Sequence, residues 1–223
     1  MNSRILAIDT TAEFGSIALL EGEDLIAEVP IRAPDGFGQV LYDFVGRALH
    51  GAGWELDTVG CFAAAAGPGS FTGVRVGLAA AKGLAEATGR PAVAVSNLQA
   101  VAWFGTAPLR AAVLDARRGQ VYGAVYDAQL SPVKEETVAA FPKWLETLPD
   151  GELEFLSTSF EPFRAALHGT RFATAPARDV PRALAGAIGR IAAARFAAGL
   201  AEDPAALDAN YVRRSDAELF WRE

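Results

Sequence analysis

The sequence predicts an α/β protein built as two α/β lobes. Three observations predict it. A meander of three apolar strand patterns opens the chain, helix and strand patterns then alternate, and near residue 105 the order restarts in weaker form. The 223 residues are 51% hydrophobic and 21% charged, enough to bury a core and too apolar for a disordered chain.

The first strand is the apolar run Ile5-Leu6-Ala7-Ile8, ending on Asp9-Thr10-Thr11, the pattern of a buried strand stopped by a polar turn. Residues 15–20 form the second strand, 21–24 a hairpin connection and 25–30 the third. Residues 39–50 read as a helix, because Val40, Leu41, Phe44, Val45 and Leu49 share one face, and Gly51 and Gly53 end it. A short buried strand at 61–65 runs into the turn Gly67-Pro68-Gly69-Ser70-Phe71-Thr72-Gly73, and a long helix continues to Thr88, stopped by Gly89 and Pro91. A strand at 92–96 and a short helix at 97–104 complete residues 1–104 as the N-terminal lobe.

A boundary falls at Gly105-Thr106-Ala107-Pro108, and residues 105–223 form a more degenerate second lobe. The run 111–115 repeats the apolar-then-Asp pattern, 117–119 turn, and 120–126 pair back. Short strands are expected at 155–157 and 171–174, and a helix over 180–199.

The net charge of −7 argues against a protein that grips nucleic acid by itself, because phosphate binding is led by clustered Lys and Arg. The single Cys61 excludes a disulfide scaffold, and His50 and His168 leave little for metal ligation; no metal site is expected. Cys61 in an apolar strand reads as an inert core thiol. Apolar runs stop well short of the roughly 20 residues of a membrane helix. No secretory signature opens the chain, so a soluble, cytoplasmic protein is expected.

Two segments have the residue types of a phosphate site. Asp9-Thr10-Thr11 at a strand end fits a carboxylate that holds Mg²⁺ through water, or equally an Asp capping its own turn. The 67–73 loop sits between a strand and a helix, where free amides and the helix dipole hold anions, or where a tight turn aims a helix. It lacks the Lys of a Walker loop and the glycine spacing of a dinucleotide fingerprint. The following helix has only Arg75, Lys82 and Glu86 as charges, all on one stripe, and Gly73, Gly77 and Ala81 recur every four residues. A helix apolar nearly all round needs cover on two sides, either inside a larger domain or from a partner protein. No catalytic set of nucleophile and base is present, and none of the residues is assigned a catalytic role. Arg117-Arg118 after Asp115 reads as a solvated turn or a phosphate contact, and Tyr211-Val212-Arg213-Arg214 as a small basic spot.

Ile5-Leu6-Ala7-Ile8-Asp9-Thr10-Thr11, the stretch Gly67-Pro68-Gly69-Ser70-Phe71-Thr72-Gly73-Val74-Arg75-Val76-Gly77 and Gly83-Leu84-Ala85 resemble the TsaB (YeaZ) family. So do Val95-Ser96-Asn97-Leu98, the stretch from Leu114 through Arg117-Arg118-Gly119 to Tyr122, and Asn210-Tyr211-Val212-Arg213. The resemblance implies an actin/Hsp70/sugar-kinase-like (ASKHA) fold and an accessory, dimerising subunit of bacterial tRNA threonylcarbamoyladenosine synthesis. It implies a heterodimer with the transferase TsaD, which modifies adenosine 37 of tRNAs that read codons beginning with A. It further implies recruitment of the ATPase TsaE, tRNA bound only through the complex, and a homodimer when alone. The family's heterodimer is a bundle of the two N-lobe helices, which maps here onto Val40, Leu41, Phe44, Gly73, Val74, Gly77, Leu78 and Ala81. Its degenerate nucleotide cleft maps onto Asp9, Thr10, Thr11, Gly67, Gly69 and Ser70, with ATP or ADP held weakly or at a partner interface. One stretch departs: Ala33-Pro34-Asp35-Gly36-Phe37-Gly38-Gln39 lacks the His followed by Ser or Thr found in many relatives. The alternative reading is an ATP-binding phosphotransferase or nucleotide hydrolase of the same fold.

Overall fold

The computed structural model describes residues 3–213. Two five-stranded mixed sheets carry the chain, and they have the same topology. In the first, β1 (Arg4–Asp9), β2 (Phe14–Glu21) and β3 (Asp24–Arg32) form an antiparallel meander, and β4 (Cys61–Gly67) and β5 (Ala92–Ser96) add in parallel on the other side of β1, giving the order β3-β2-β1-β4-β5. In the second, β6 (Leu109–Asp115), β7 (Gln120–Tyr126) and β8 (Pro132–Ala140) repeat the meander, and β9 (Leu153–Ser157) and β10 (Ala177–Asp179) repeat the parallel pair, giving β10-β9-β6-β7-β8. The repeat that the sequence shows as pattern is thus a repeat of strand order and direction.

The first sheet is covered on both faces because its strands alternate between two apolar sets. Leu6, Ile8, Ile17, Leu19, Phe62 and Ala64 pack with α1 (Leu41–Ala52) and α2 (Phe71–Thr88) in one buried cluster. On these strands α6 (Ala185–Ala197) packs against β1, β2, β4 and β5. A Cβ at Gly189 of α6 would come within 2.2 Å of the Leu20 side chain, so the helix meets the sheet more closely than alanine permits. Phe37, in the stretch that departs from the family pattern, is 4% exposed and belongs to this core.

The chain divides into two compact units, Met1–Ala100 with Arg182–Asn210, and Val101–Pro181 with Tyr211–Glu223. This differs from the expected division into 1–104 and 105–223. The restart near residue 105 marks where the second sheet begins. It carries no sign that α6 returns to the first sheet, because that attachment depends on distant partners such as Leu20.

The second unit has an aromatic core. Phe141 and Trp144 of α4 (Phe141–Leu145) pack with Phe155, Phe160, Phe172 and Phe163 of α5 (Glu161–Arg164). Gly123 of β7 lies beneath the indole of Trp144, where a Cβ would approach a ring atom to 2.5 Å. Residues 171–174, expected as a strand, form a turn instead, and the strand lies at β10. The helix expected over 180–199 is confined to α6, and the short helix after β5 is α3 (Asn97–Ala102).

Candidate functional site

β1 ends on a buried carboxylate, and its neighbours complete a hydrogen-bonded clasp. Asp9 is 2% exposed; its Oδ1 accepts from the Thr11 amide at 3.0 Å, the Thr11 hydroxyl at 2.7 Å and the Asn97 amide at 3.5 Å. Asn97, the first residue of α3, also donates to the Thr11 hydroxyl at 2.7 Å and accepts from the Gly67 amide at 3.0 Å. One side chain therefore ties the end of β1 to the end of β4. Burial pushes the Asp9 carboxyl above the usual range; the hydrogen bonds from Thr11 and Asn97 oppose this, and the charge of Glu28 adds to it.

The 67–73 loop lies directly on Thr10 and Thr11. The Ser70 amide donates to the Thr11 carbonyl at 2.7 Å, and the Thr10 hydroxyl donates to the Gly73 carbonyl at 2.7 Å. Ser70 caps α2, its hydroxyl accepting from the Gly73 amide at 3.3 Å. A Cβ at Gly69 would meet the Thr11 carbonyl at 2.6 Å, and one at Gly73 the Thr10 carbonyl at 2.0 Å. The structure thus brings together all six residues expected at a nucleotide cleft. It also gives protein partners to the amides of Gly67, Ser70 and Gly73, and turns Asp9 inward. What the arrangement does is fix the entry of α2 against β1. Asn97 escaped the sequence reading because it looks like a helix start, and its partners lie far away in the chain.

The expected partner-facing residues divide. Leu41, Val74, Leu78 and Ala81 are buried in the chain's own core, between 0% and 5% exposed. Gly73 and Gly77 abut Thr10, with a Cβ at Gly77 only 2.5 Å from its hydroxyl oxygen. Val40 and Phe44 are half-buried against the same core. The small-residue ridge Gly73-Gly77-Ala81 therefore serves the close approach of α2 to β1, and offers no surface to another protein. A second row of α2 faces outward at the same spacing: Phe71, Arg75, Ala79, Gly83 and Ala87 are all exposed. The Arg75 guanidinium lies 3.6 Å from the centre of the Phe71 ring. On α1 the outward row is Tyr42, Gly46 and His50, with Tyr42 58% exposed. A Cβ at Gly46 or Gly83 would meet nothing within 4 Å.

The remaining candidates are placed simply. Cys61 is fully buried in β4, and burial pushes its thiol up to about 12. His50 and His168 are exposed. Among the described residues no group of three or more His, Cys, Asp and Glu side chains is placed to hold a metal ion. Nor is any helix among them long and apolar enough to cross a membrane. Arg117 and Arg118 stand at the β6–β7 turn, and Arg213 reaches that turn; Arg214 lies outside the described residues.

Comparison with known proteins places this geometry. The model of the family TsaD, tRNA N6-adenosine threonylcarbamoyltransferase, matches residues 28–203. The tRNA threonylcarbamoyladenosine biosynthesis protein TsaB of Escherichia coli (strain K12) is 39% identical over 127 residues, covering 55% of this chain and 54% of that protein. TsaB of Bacillus subtilis (strain 168) is 34% identical over 151 residues, 66% of each. The chain thus spans between about half and about two thirds of the length of these curated relatives. Among solved structures, YeaZ from Pseudomonas aeruginosa superposes with a TM-score of 0.79 at 26% identity, covering 94% of this chain and 99% of that one. Component A of (R)-2-hydroxyglutaryl-CoA dehydratase from Acidaminococcus fermentans shares the fold alone, with a TM-score of 0.53 at 9% identity and coverage of 87% and 99%. The fold is the actin/Hsp70/sugar-kinase-like one, with two α/β lobes. With its twin sheets, its clasped glycine loop and these relatives, the chain belongs to the threonylcarbamoyltransferase family that the model describes and, there, to the TsaB (YeaZ) proteins.

Proposed function

We propose that this chain is a non-catalytic accessory subunit in tRNA threonylcarbamoyladenosine synthesis. It pairs with a TsaD-type transferase acting on adenosine 37 of tRNAs that read codons beginning with A, and it serves as a scaffold for a TsaE-type ATPase. The observation that carries the reading is the outer face of α1 and α2. Glycine inside a helix costs about 1 kcal/mol relative to alanine. Gly46 and Gly83 occupy such positions with open space around them, in the same outward rows as the exposed rings of Tyr42 and Phe71. Among the described residues nothing lies against them, whereas a helix of a partner laid closely on Gly46, Ala79 and Gly83 would, with Tyr42 and the stacked Phe71 and Arg75 beside it. Without that partner, the same face pairs two copies of the chain. The inward-bonded Asp9 weighs against the alternative, a phosphotransferase or nucleotide hydrolase, since such an enzyme needs that carboxylate open to a metal ion.

The test is co-purification with a TsaD-type transferase and a TsaE-type ATPase, followed by threonylcarbamoylation with and without this chain. Modification should require the chain. Gly83→Leu should abolish co-elution with the transferase while leaving the melting temperature of the free chain unchanged or higher. Modification that proceeds equally without the chain would sink the reading, and an intact complex with Gly83→Leu would reject this face.

A further inference from the structure

We propose that α6 and the residues after it form a strap that opens and closes on the first sheet as one unit, held by polar latches at its two ends. The chain order is the first sign. Residues 182–210 belong to the first compact unit, yet the chain arrives there from the second unit at Pro181 and returns to it at Tyr211. Thirteen residues make a marginal helix when isolated, even one rich in alanine. The N-terminus follows Leu184, whose side chain has no group to accept from the first free amides. Gly186 and Gly189 lie inside the helix, where glycine is less stable than alanine. The docked position accounts for both. A Cβ at Gly186 would come within 3.0 Å of Glu28 Oε2, and one at Gly189 within 2.2 Å of Leu20. Of the eight buried residues of α6, six are Ala or Gly, which leaves Ile188 and Ile191 as the larger apolar groups. Stabilisation by apolar burial scales with area, so the contacts at the two ends count for more.

The N-terminal latch comes from β2 and β3. The Ala185 amide donates to the Ser16 hydroxyl at 2.9 Å, and the Gly186 amide donates to Glu28 Oε1 at 2.8 Å. The buried Ser16 hydroxyl donates to the same Oε1 at 3.3 Å. Ser16 and Glu28 thus cap α6 from 169 and 158 positions away in the chain. A carboxylate at this end also meets the positive pole of the helix, so the bond from Gly186 is charge-assisted. The C-terminal latch comes from β5 and α3. Arg195 donates to the Ala94 carbonyl and to Gln99 Oε1, both at 2.7 Å. Beyond the helix, Ala92 and Glu202 exchange backbone hydrogen bonds of 3.0 and 2.9 Å. When the strap lifts, both latches break and a short helix loses the caps and the sheet that hold it. The strands beneath keep their ladders to one another, β1 to β2 and β4, and β4 to β5. That asymmetry makes the strap a cooperative opening unit of its own.

Hydrogen exchange of the intact chain tests this. In the wild type at low denaturant, the amides of α6 should share one opening that costs less than the opening of β1 and β4. A single opening common to α6, β1 and β4 overturns the proposal. Glu28→Gln keeps an Oε1 acceptor and removes the charge, whereas Arg195→Met keeps the apolar stem and removes the guanidinium. Each should speed exchange along the whole of α6 about tenfold and leave β1 and β4 unchanged. The end remote from each substitution separates a strap from a fraying helix. Glu28→Gln should speed exchange over residues 193–197, and Arg195→Met over residues 188–191. Acceleration confined to the end nearest the substitution overturns the proposal, as does no acceleration, or an equal acceleration of β1 and β4. Where a variant fails to fold, the wild-type exchange at low denaturant decides alone.

Discussion

The hydroxyl oxygen of Thr10 stands 2.5 Å from where a Cβ at position 77 would lie, and it donates its hydrogen bond to the Gly73 carbonyl one turn earlier in α2. The helix therefore meets the end of β1 with no room for a methyl group, and turning the hydroxyl away would break its hydrogen bond to Gly73. Gly77→Ala is expected to destabilise the chain by roughly 1–3 kcal/mol, the range for overpacking a filled core. Gly83→Ala, on the same helix but facing open space, is expected to stabilise the free chain by about 0.5–1 kcal/mol through helix propensity alone. Chemical denaturation of the two variants measures both. Equal effects of the same sign would show that the inner and outer rows of α2 are wrongly assigned.

Asp9 makes stability depend on pH in a defined direction. Its folded carboxyl is raised above the ordinary value of 3.8, chiefly by burial, so the folded state holds its proton to higher pH than the unfolded state does. Asp9 is neutral in both states at low pH, and its cost appears as pH rises above 3.8 towards the folded value. Asp9→Asn keeps an Oδ1 acceptor for Thr11 and Asn97 and removes the charge. The variant should match the wild type near pH 3 and become progressively more stable than it towards neutral pH. Thermal melts of both proteins across that range read the difference. A gap that closes as pH rises would contradict the buried carboxylate.

Much of this was legible in sequence because it is locally encoded. The Ser70 cap and the left-handed Gly89, at φ 63°, bound α2 where the pattern places them, and the apolar run of β1 ends on Asp9 as expected. The orientation of α2 was not legible. Two rows repeat every fourth position, Gly73-Gly77-Ala81 and Phe71-Arg75-Ala79-Gly83, and the row that turns inward is the one that meets Thr10, far away in the chain. β8 escaped because its edge position leaves most of its side chains at least partly exposed, so Lys134, Glu135 and Glu136 break the alternation that marks a strand. Asn97 and the return of α6 escaped for the same reason as α2: their partners are non-local.

Cys61 provides an internal reporter. It is the single cysteine, it is 0% exposed in β4, and burial raises its thiol to about 12. The thiolate is the reactive species, so at pH 8 the folded chain should alkylate roughly a thousandfold more slowly than the unfolded chain. Labelling should become complete on adding denaturant. Rapid modification in native buffer would place β4 at the surface and contradict the position of that strand between β1 and β5 in the first sheet.

The charge balance limits what the chain can hold alone. It carries 20 Lys and Arg against 27 Asp and Glu, so the field around it repels a polyanion. Near 150 mM ionic strength, screening is nearly complete beyond about 8 Å, so scattered basic side chains add little attraction for a phosphate backbone. A filter or gel-shift assay with whole tRNA and the free chain at that salt should show no sub-micromolar binding. Binding that tight would mean that a surface of this acidic chain is built to hold tRNA without a partner.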